Sequence, residues 1–373
     1  MKILADQNMP LVEQFFKDMG EVERFDGRQL TPEQLIDVDV LLTRSVTQVN
    51  SELLAQANKL SFVGTATIGV DHIDTDLLNA KNIDFTSAPG CNAIAVAEYV
   101  ISSLFALSQE NASPLSGKTI GIVGVGNIGS CLAHKLKALN VNLLLCDPIK
   151  HEQGLLTEHV ELDELLAQSD IVTFHVPLVK TGTHKTLHML DKKRLTTLKP
   201  GLTLINASRG DVIDNQALLE VMEAGAELDL VLDVWENEPN ILTELLEHVR
   251  YASVHIGGHT LEGKARGTQM LYQSLCELKG VNAIKSLDDF LPPPAIKKVA
   301  LGNSFSETDI ARLVHLVYDV RRDDGILLRH LTDEGFDSLR KNYPTRREFS
   351  TVVVEGDSTE LTALAQLGFT TAN

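Results

Sequence analysis

The turn Gly124-Val125-Gly126-Asn127-Ile128-Gly129 limits what this chain can fold into more than any other feature. Its spacing, G-x-G-x-x-G, is common among glycine-rich turns and says little alone. Here an apolar run over 119–123 precedes it and a helical pattern over 128–139 follows. That context makes it the first strand–turn–helix of a βαβ unit that holds a dinucleotide. Gly124 permits the tight turn, Gly126 lets backbone approach a pyrophosphate, and Gly129 lets helix and strand pack closely. Asn127 and Ile128 stand where the helix begins, and its free N–H groups and dipole favour an anion. The next predicted strand, over 141–146, ends at Asp147, where a carboxylate would accept hydrogen bonds from the adenosine ribose. A negative charge there repels a 2′-phosphate, and Lys150 is the one nearby cation, so NAD is expected rather than NADP.

Short apolar runs alternate with helical patterns on both sides of this turn. Strands are expected over 2–5, 38–42, 62–64 and 83–85, and again over 119–123, 141–146, 171–175, 203–206 and 230–234. Strands spaced by helices indicate parallel sheets. A long apolar helix is expected over 93–108, with Asn92 as its cap, and another over 262–278. Leu291-Pro292-Pro293-Pro294 reads as a linker, because consecutive prolines continue neither helix nor central strand. The fold class is therefore α/β, with Rossmann-like, doubly wound parallel-sheet lobes and a small α+β unit at the C-terminus.

A net charge of -18 disfavours nucleic acid and anionic membrane surfaces as partners. No run approaches the roughly 18 apolar residues of a membrane span. Cys91, Cys131, Cys146 and Cys276 show neither C-x-x-C nor zinc spacing. Reduced thiols, a cytoplasmic location and no metal site are expected.

Three segments follow the second series of strands: Asn206-Ala207-Ser208-Arg209-Gly210, Asp233-Val234-Trp235-Glu236-Asn237-Glu238-Pro239, and His255-Ile256-Gly257-Gly258. In open α/β sheets, ligands bind outside the carboxyl ends of the strands. A guanidinium grips a carboxylate through a bidentate fork. An imidazole can take a hydroxyl proton as hydride leaves, and a carboxylate behind it orients the ring. A lone Arg, Glu or His is most often a surface or structural residue. In this order after a dinucleotide turn, Arg209, Glu238 and His255 point to oxidation of a small hydroxy acid.

The same ordered set resembles the D-isomer-specific 2-hydroxyacid dehydrogenases over roughly residues 1–280, through Ser208-Arg209-Gly210-Asp211-Val212-Ile213-Asp214, Asp233-Val234-Trp235, Glu238-Pro239 and His255. The resemblance implies that Arg209 binds the substrate carboxylate, Glu238 orients the imidazole and His255 is the acid/base. It implies cofactor contacts from Ala207, Ser208, Arg209, Asp233 and Gly258, with Asp233 near the nicotinamide carboxamide. It also implies a substrate-binding lobe, 1–95 with 259–285, an NAD-binding domain, 96–258, and an active site between the lobes. Residues 286–373 would be a C-terminal dimerisation domain, and the partners a phosphorylated hydroxy acid and a second copy of the chain.

Four further stretches resemble the branch of that family acting on 4-phospho-D-erythronate in pyridoxal phosphate synthesis. They are residues 2–10, Thr43-Arg44-Ser45-Val46-Thr47, 63–67 with Asp71-His72, and Ala88-Pro89-Gly90-Cys91-Asn92-Ala93. By that resemblance Ser45 and Thr67 contact substrate. Thr65–Gly69 could form an anion nest, and Arg44, with Arg346 and Arg347, could help with a phosphate. The pattern departs at His259, where that branch often carries Tyr; either side chain can hydrogen-bond a substrate oxygen. His72 and His175 are expected to be structural. Alternatives are a dehydrogenase of 3-phosphoglycerate or glycerate, or an NAD-sensing corepressor-like binding protein.

Overall fold

The computed structural model describes residues 1–302, 305–356 and 361–372. It divides into two compact units, Met1–Ala93 with His259–Pro293, and Ile94–Gly258 with Pro294–Asn373. The first holds a five-stranded sheet of β1 (Lys2–Asp6), β2 (Glu21–Phe25), β3 (Val40–Thr43), β4 (Phe62–Thr65) and β5 (Asp84–Thr86), in the order β2-β1-β3-β4-β5. All its pairs are parallel. Parallel strands are covered on both faces and so read as near-continuous apolar runs, which is why β3 and β4 are wholly buried. Helix Leu261–Leu278 returns to this sheet, capped by Thr260, whose hydroxyl accepts the Gly263 N–H. It buries Leu271, Tyr272 and Leu275 against Phe15 and Phe16.

The second unit holds β6 (Thr119–Val123), β7 (Asn142–Cys146), β8 (Ile171–Phe174), β9 (Leu202–Asn206), β10 (Leu228–Leu232) and β11 (Tyr251–Ala252), ordered β11-β10-β9-β8-β6-β7. The chain steps from β6 outward to β7 and then crosses to β8, so the strand order reverses at β6. That reversal is the topological switch point, where ligands bind in such sheets. The register aligns the strand ends: Val123 pairs with Cys146 and Phe174, and Asn206 with Phe174 and Leu232. Gly124, Asp147, His175, Ala207 and Asp233 therefore leave the sheet side by side.

Helix Ala93–Glu110 is apolar around most of its surface and is buried accordingly. Asn92 does not cap it; the side-chain Oδ1 is buried and has no hydrogen-bond partner among the described residues. The C-terminal residues form a small parallel sheet, β12 (Lys298–Ala300), β13 (Val353–Glu355) and β14 (Thr370–Ala372), with helices Glu307–Val317, Val320–Glu334, Phe336–Lys341 and Leu361–Leu367. This small domain packs within the second unit. Lys135 Nζ donates to Leu367 O at 2.6 Å, and the Ser102 hydroxyl donates to Tyr318 O at 3.0 Å.

Candidate active site

The turn after β6 has the shape its glycines allow. Gly124 lies at φ +89°, and a Cβ there would meet the His175 carbonyl oxygen at 2.6 Å. A Cβ on Gly129 would stand 2.0 Å from Gly124 O, so helix Asn127–Leu136 can press onto the turn only with hydrogen at that position. By contrast, nothing lies within 4 Å of a Cβ built on Gly126. That open space, at the N-terminus of a helix begun by Asn127 and Ile128, suits a pyrophosphate.

Asp147 accepts Val125 N–H at 2.9 Å through Oδ2 and Lys150 N–H at 3.0 Å through Oδ1. Each carboxylate oxygen keeps a lone pair for a ribose hydroxyl. The Lys150 ammonium is turned to Val125 O at 2.5 Å. His175, at the neighbouring strand end, is held neutral because burial pushes its pKa down to about 3. These residues fit NAD.

Arg209 follows β9 on a loop shaped by the buried Asn206. Asn206 Oδ1 accepts the Ser208 N–H and hydroxyl at 3.1 and 2.9 Å, and its Nδ2 donates to Arg209 O at 2.9 Å. Ala207 and Ser208 are buried, and Arg209 Nη1 donates to Ser208 O at 2.8 Å. Gly210 then passes directly over the next loop. A Cβ there would lie 1.9 and 2.0 Å from Trp235 C and O, and 2.5 Å from Glu236 N. Backbone on the facing side cannot swing away. Gly210→Ala is therefore expected to destabilise the fold by about 1–3 kcal/mol, as overpacking does. Thermal unfolding of the variant checks this, and an unchanged midpoint would show that the two loops are not locked together.

Glu238, on the loop after β10, meets His255, on the loop after β11. Glu238 Oε2 accepts from His255 Nδ1 at 2.8 Å, while Oε1 accepts Trp235 N–H at 3.0 Å. Burial raises the Glu238 carboxyl, but the His255 charge, its hydrogen bond and the Trp235 N–H outweigh that and hold it below its ordinary value. The pair fixes Nδ1 as the donor and leaves Nε2 as the nitrogen able to exchange a proton.

His255 sits at φ +58°, a conformation that L residues rarely adopt. Its neighbours over-determine it. Asp233 O accepts His255 N–H at 2.7 Å, and the Asp233 carboxylate accepts Ile256 N–H at 2.7 Å and Gly257 N–H at 2.8 Å. The Ser253 hydroxyl donates to the same carboxylate at 2.7 Å, shares a 2.9 Å hydrogen bond with the Tyr99 hydroxyl, and its carbonyl accepts Trp235 Nε1–H at 2.9 Å. Asp233 thus shapes the histidine loop directly. Sequence reasoning does not single out Asn206, Trp235, Ser253 or Tyr99 as site residues; an Asn closing a strand and a lone Trp are the only signals they give.

Glu238→Gln should lose the charge that stabilises an imidazolium, and its one acceptor oxygen can keep only one of the two hydrogen bonds that Glu238 accepts from His255 Nδ1 and Trp235 N–H. We expect kcat to fall by about a hundredfold to ten-thousandfold, because an amide behind a catalytic imidazole neither stabilises its charge nor holds its tautomer. Stability should change with pH as well. A carboxyl whose folded pKa lies below its unfolded value stabilises fully above the unfolded value, and that contribution is lost as pH falls through the folded one. The stability gap between wild type and variant should therefore close on acidification. A gap independent of pH would remove the ion pair from the account.

In the first unit, Arg44 and Ser45 leave β3 beside Ala66 and Thr67, which leave β4, since Thr43 pairs with Thr65. Arg44 Nη1 donates to Asn8 O at 3.1 Å. Thr67 donates its hydroxyl to Gly69 O at 2.8 Å. The 2.8 Å contact between Thr65 and Thr67 hydroxyls must then be donated by Thr65, and the 2.9 Å contact to Thr65 by His72 Nε2. This partly buried chain spends the Thr67 proton inside the turn, so an anion would be met there by backbone N–H groups. His259 and Gly258 are both half-buried. Arg346 is buried too, and donates to Gly257 O at 3.1 Å and Ala95 O at 2.6 Å. Its guanidinium is engaged inside the protein, which overturns the expectation of a phosphate contact.

Among the described residues, His188, Asp214 and Glu236 form the one group that could hold a metal. His188 Nε2 lies 2.6 Å from Glu236 Oε1, and Glu236 Oε2 accepts Asn215 N–H at 2.7 Å, which ties that loop to a neighbouring helix.

Residues 96–259 match the NAD-binding domain of D-isomer specific 2-hydroxyacid dehydrogenases, and residues 290–368 match a domain of unknown function. The chain is 82% identical over 373 residues, all of both chains, to the erythronate-4-phosphate dehydrogenase of Pseudoalteromonas translucida. It is 50% identical over 371 residues, 99% of each chain, to that of Shewanella baltica. Among solved structures, NAD-dependent formate dehydrogenase of Staphylococcus aureus in complex with NAD is 28% identical, with a TM-score of 0.61, covering 75% of this chain and 96% of that one. NAD-bound 3-phosphoglycerate dehydrogenase of Entamoeba histolytica shares the fold at 21% identity, with a TM-score of 0.65, covering 78% and 99%.

The chain belongs to the D-isomer-specific 2-hydroxyacid dehydrogenase family, in the branch formed by the erythronate-4-phosphate dehydrogenases. Its cofactor is NAD.

Proposed function

We propose that this chain oxidises 4-phospho-D-erythronate at C2, giving 3-hydroxy-2-oxo-4-phosphooxybutanoate, in pyridoxal phosphate biosynthesis. The observation that carries the chemistry is the His255–Glu238 pair at 2.8 Å, which joins the loops after β11 and β10, with Arg209 on the loop after the neighbouring β9. Full-length similarity to proteins named for this substrate supports the specificity.

Bound NAD supplies the hydride acceptor. Gly124, Gly126 and Gly129 with Asn127 and Ile128 make room for its pyrophosphate, and Asp147 receives the ribose hydroxyls. Ala207, Ser208, Asp233 and Gly258 would supply further contacts to it. Arg209 holds the substrate carboxylate in a fork and draws charge toward the C2 oxygen. Neutral His255 takes the C2 hydroxyl proton at Nε2 as hydride departs, and Glu238 stabilises the imidazolium at Nδ1. Ser45, Thr67, Arg44 and His259 would supply the remaining contacts to substrate, the Thr67 turn chiefly through its N–H groups.

Among the described residues no helix is long and apolar enough to cross a membrane. A cytoplasmic homodimer belongs to the same proposal and rests on resemblance. Light scattering of the purified protein tests the dimer.

The substrate is tested by comparing kcat/KM for 4-phospho-D-erythronate, 3-phosphoglycerate and D-glycerate with NAD. A clear preference for the first is expected. Turnover of only one of the others would overturn the substrate, and no turnover of any would favour a binding protein.

A further inference from the structure

The C-terminal domain matches a domain of unknown function. Within the second unit it sets a charged arginine, 2% exposed, against the histidine loop. We infer that Arg346 is a positioning residue for the reaction, and that through it the C-terminal domain sets the catalytic loop His255–Gly258.

The two carbonyls Arg346 holds are telling. The chain passes between its two compact units after Ala93, after Gly258 and after Pro293. Arg346 donates to Ala95 O and Gly257 O, each within two residues of one of those crossings. Gly257 is thereby gripped on both sides, its N–H by Asp233 and its carbonyl by Arg346. His255, the acid/base, lies two residues upstream at a positive φ that only such restraint maintains.

The arginine is itself held rigid. Its guanidinium carbon stacks 3.6 Å from the Tyr318 ring centroid. The Tyr318 and Tyr343 hydroxyls both donate to Asp323 Oδ2, at 2.7 and 2.8 Å. The backbone of the same segment is anchored as well, because the Phe349 N–H donates to the buried Glu98 carboxylate at 3.1 Å.

Stability alone does not account for this design. Burying a guanidinium is costly, and an apolar side chain of similar volume often packs such a site as well or better. What an apolar residue cannot do is fix two carbonyls at once, which the planar fork does.

The inference rests on the proposed roles of His255 and NAD, so the test includes a readout that needs no substrate. Arg346→Met and Arg346→Lys are compared with wild type by amide hydrogen exchange, by NADH binding and by turnover with C2-deuterated and unlabelled substrate. Arg346→Met is expected to speed exchange in 253–258 ahead of the surrounding sheet. It should lower kcat on the order of tenfold to a hundredfold, as small misplacements of reacting groups do, and raise the primary isotope effect on kcat while NADH binding holds. Arg346→Lys, which can reach one carbonyl, should recover part of the rate. If Arg346→Met does not fold, the lysine variant carries the same three readouts. Unchanged exchange in 253–258, or a kcat per folded chain and isotope effect equal to wild type, would overturn the inference. Should wild type prove inactive on 4-phospho-D-erythronate, the substrate proposal fails, and exchange still decides whether Arg346 holds the loop.

Discussion

Replacing His255 with Asn lowers kcat for hydroxy-acid oxidation by about a thousandfold and leaves NADH binding nearly unchanged. The magnitude lies within the range for losing a positioned general base. Asn can still donate a hydrogen bond from its side-chain amide to the Glu238 carboxylate, so the loop need not move. It has no group that takes a proton near neutral pH. The backbone tolerates it well, because Asn enters the left-handed region, here φ +58°, more readily than most residues. Steady-state kinetics with fluorescence titration of NADH separates the two effects. A variant that keeps a tenth or more of the wild-type rate would remove His255 as the acid/base and turn attention to His259.

Arg209→Lys should cost kcat/KM on the order of a hundredfold to a thousandfold, the range seen when a donor at developing charge is removed. Charge is conserved in this change, so the loss would come from geometry. A guanidinium offers two parallel N–H donors to a carboxylate, and an ammonium acts as a point charge. The loop itself should survive, because it is shaped by the Asn206 side chain and by the Arg209 backbone carbonyl. Initial rates at varied substrate, with thermal unfolding as the control for folding, measure the effect. Rates equal to wild type would deny Arg209 its carboxylate.

The doubly wound sheets are legible because buried parallel strands write themselves as apolar runs. Thr119–Val123 and Leu202–Asn206 are of this kind. Strand β2 is not legible in the same way. Glu21–Phe25 is an edge strand with most of its side chains exposed, so its sequence, EVERF, lacks the apolar run that marks its neighbours. Residues 51–57 have a helical pattern and form only a 3-10 turn, Leu53–Gln56. Spacing brings out Arg209, Glu238 and His255 as a set, because each follows a strand end and carries a reactive group. The residues that hold them are silent in sequence. Asn206, Ser253 and Tyr99 act through single hydrogen bonds between side chains and loops, and no local pattern encodes such partners. Arg346 misleads for the same reason: a pair of arginines reads as a candidate phosphate contact until the partners of Arg346, Gly257 and Ala95, are known.

The account is tested most directly by a single turnover with enzyme in excess, using NAD and 4-phospho-D-erythronate deuterated at C2. Direct transfer predicts that the deuterium is recovered at the nicotinamide C4 of NADH, with one 2-oxo acid formed per label and none of the label in solvent. NADH without deuterium, or no oxidation of this substrate at all, would contradict it.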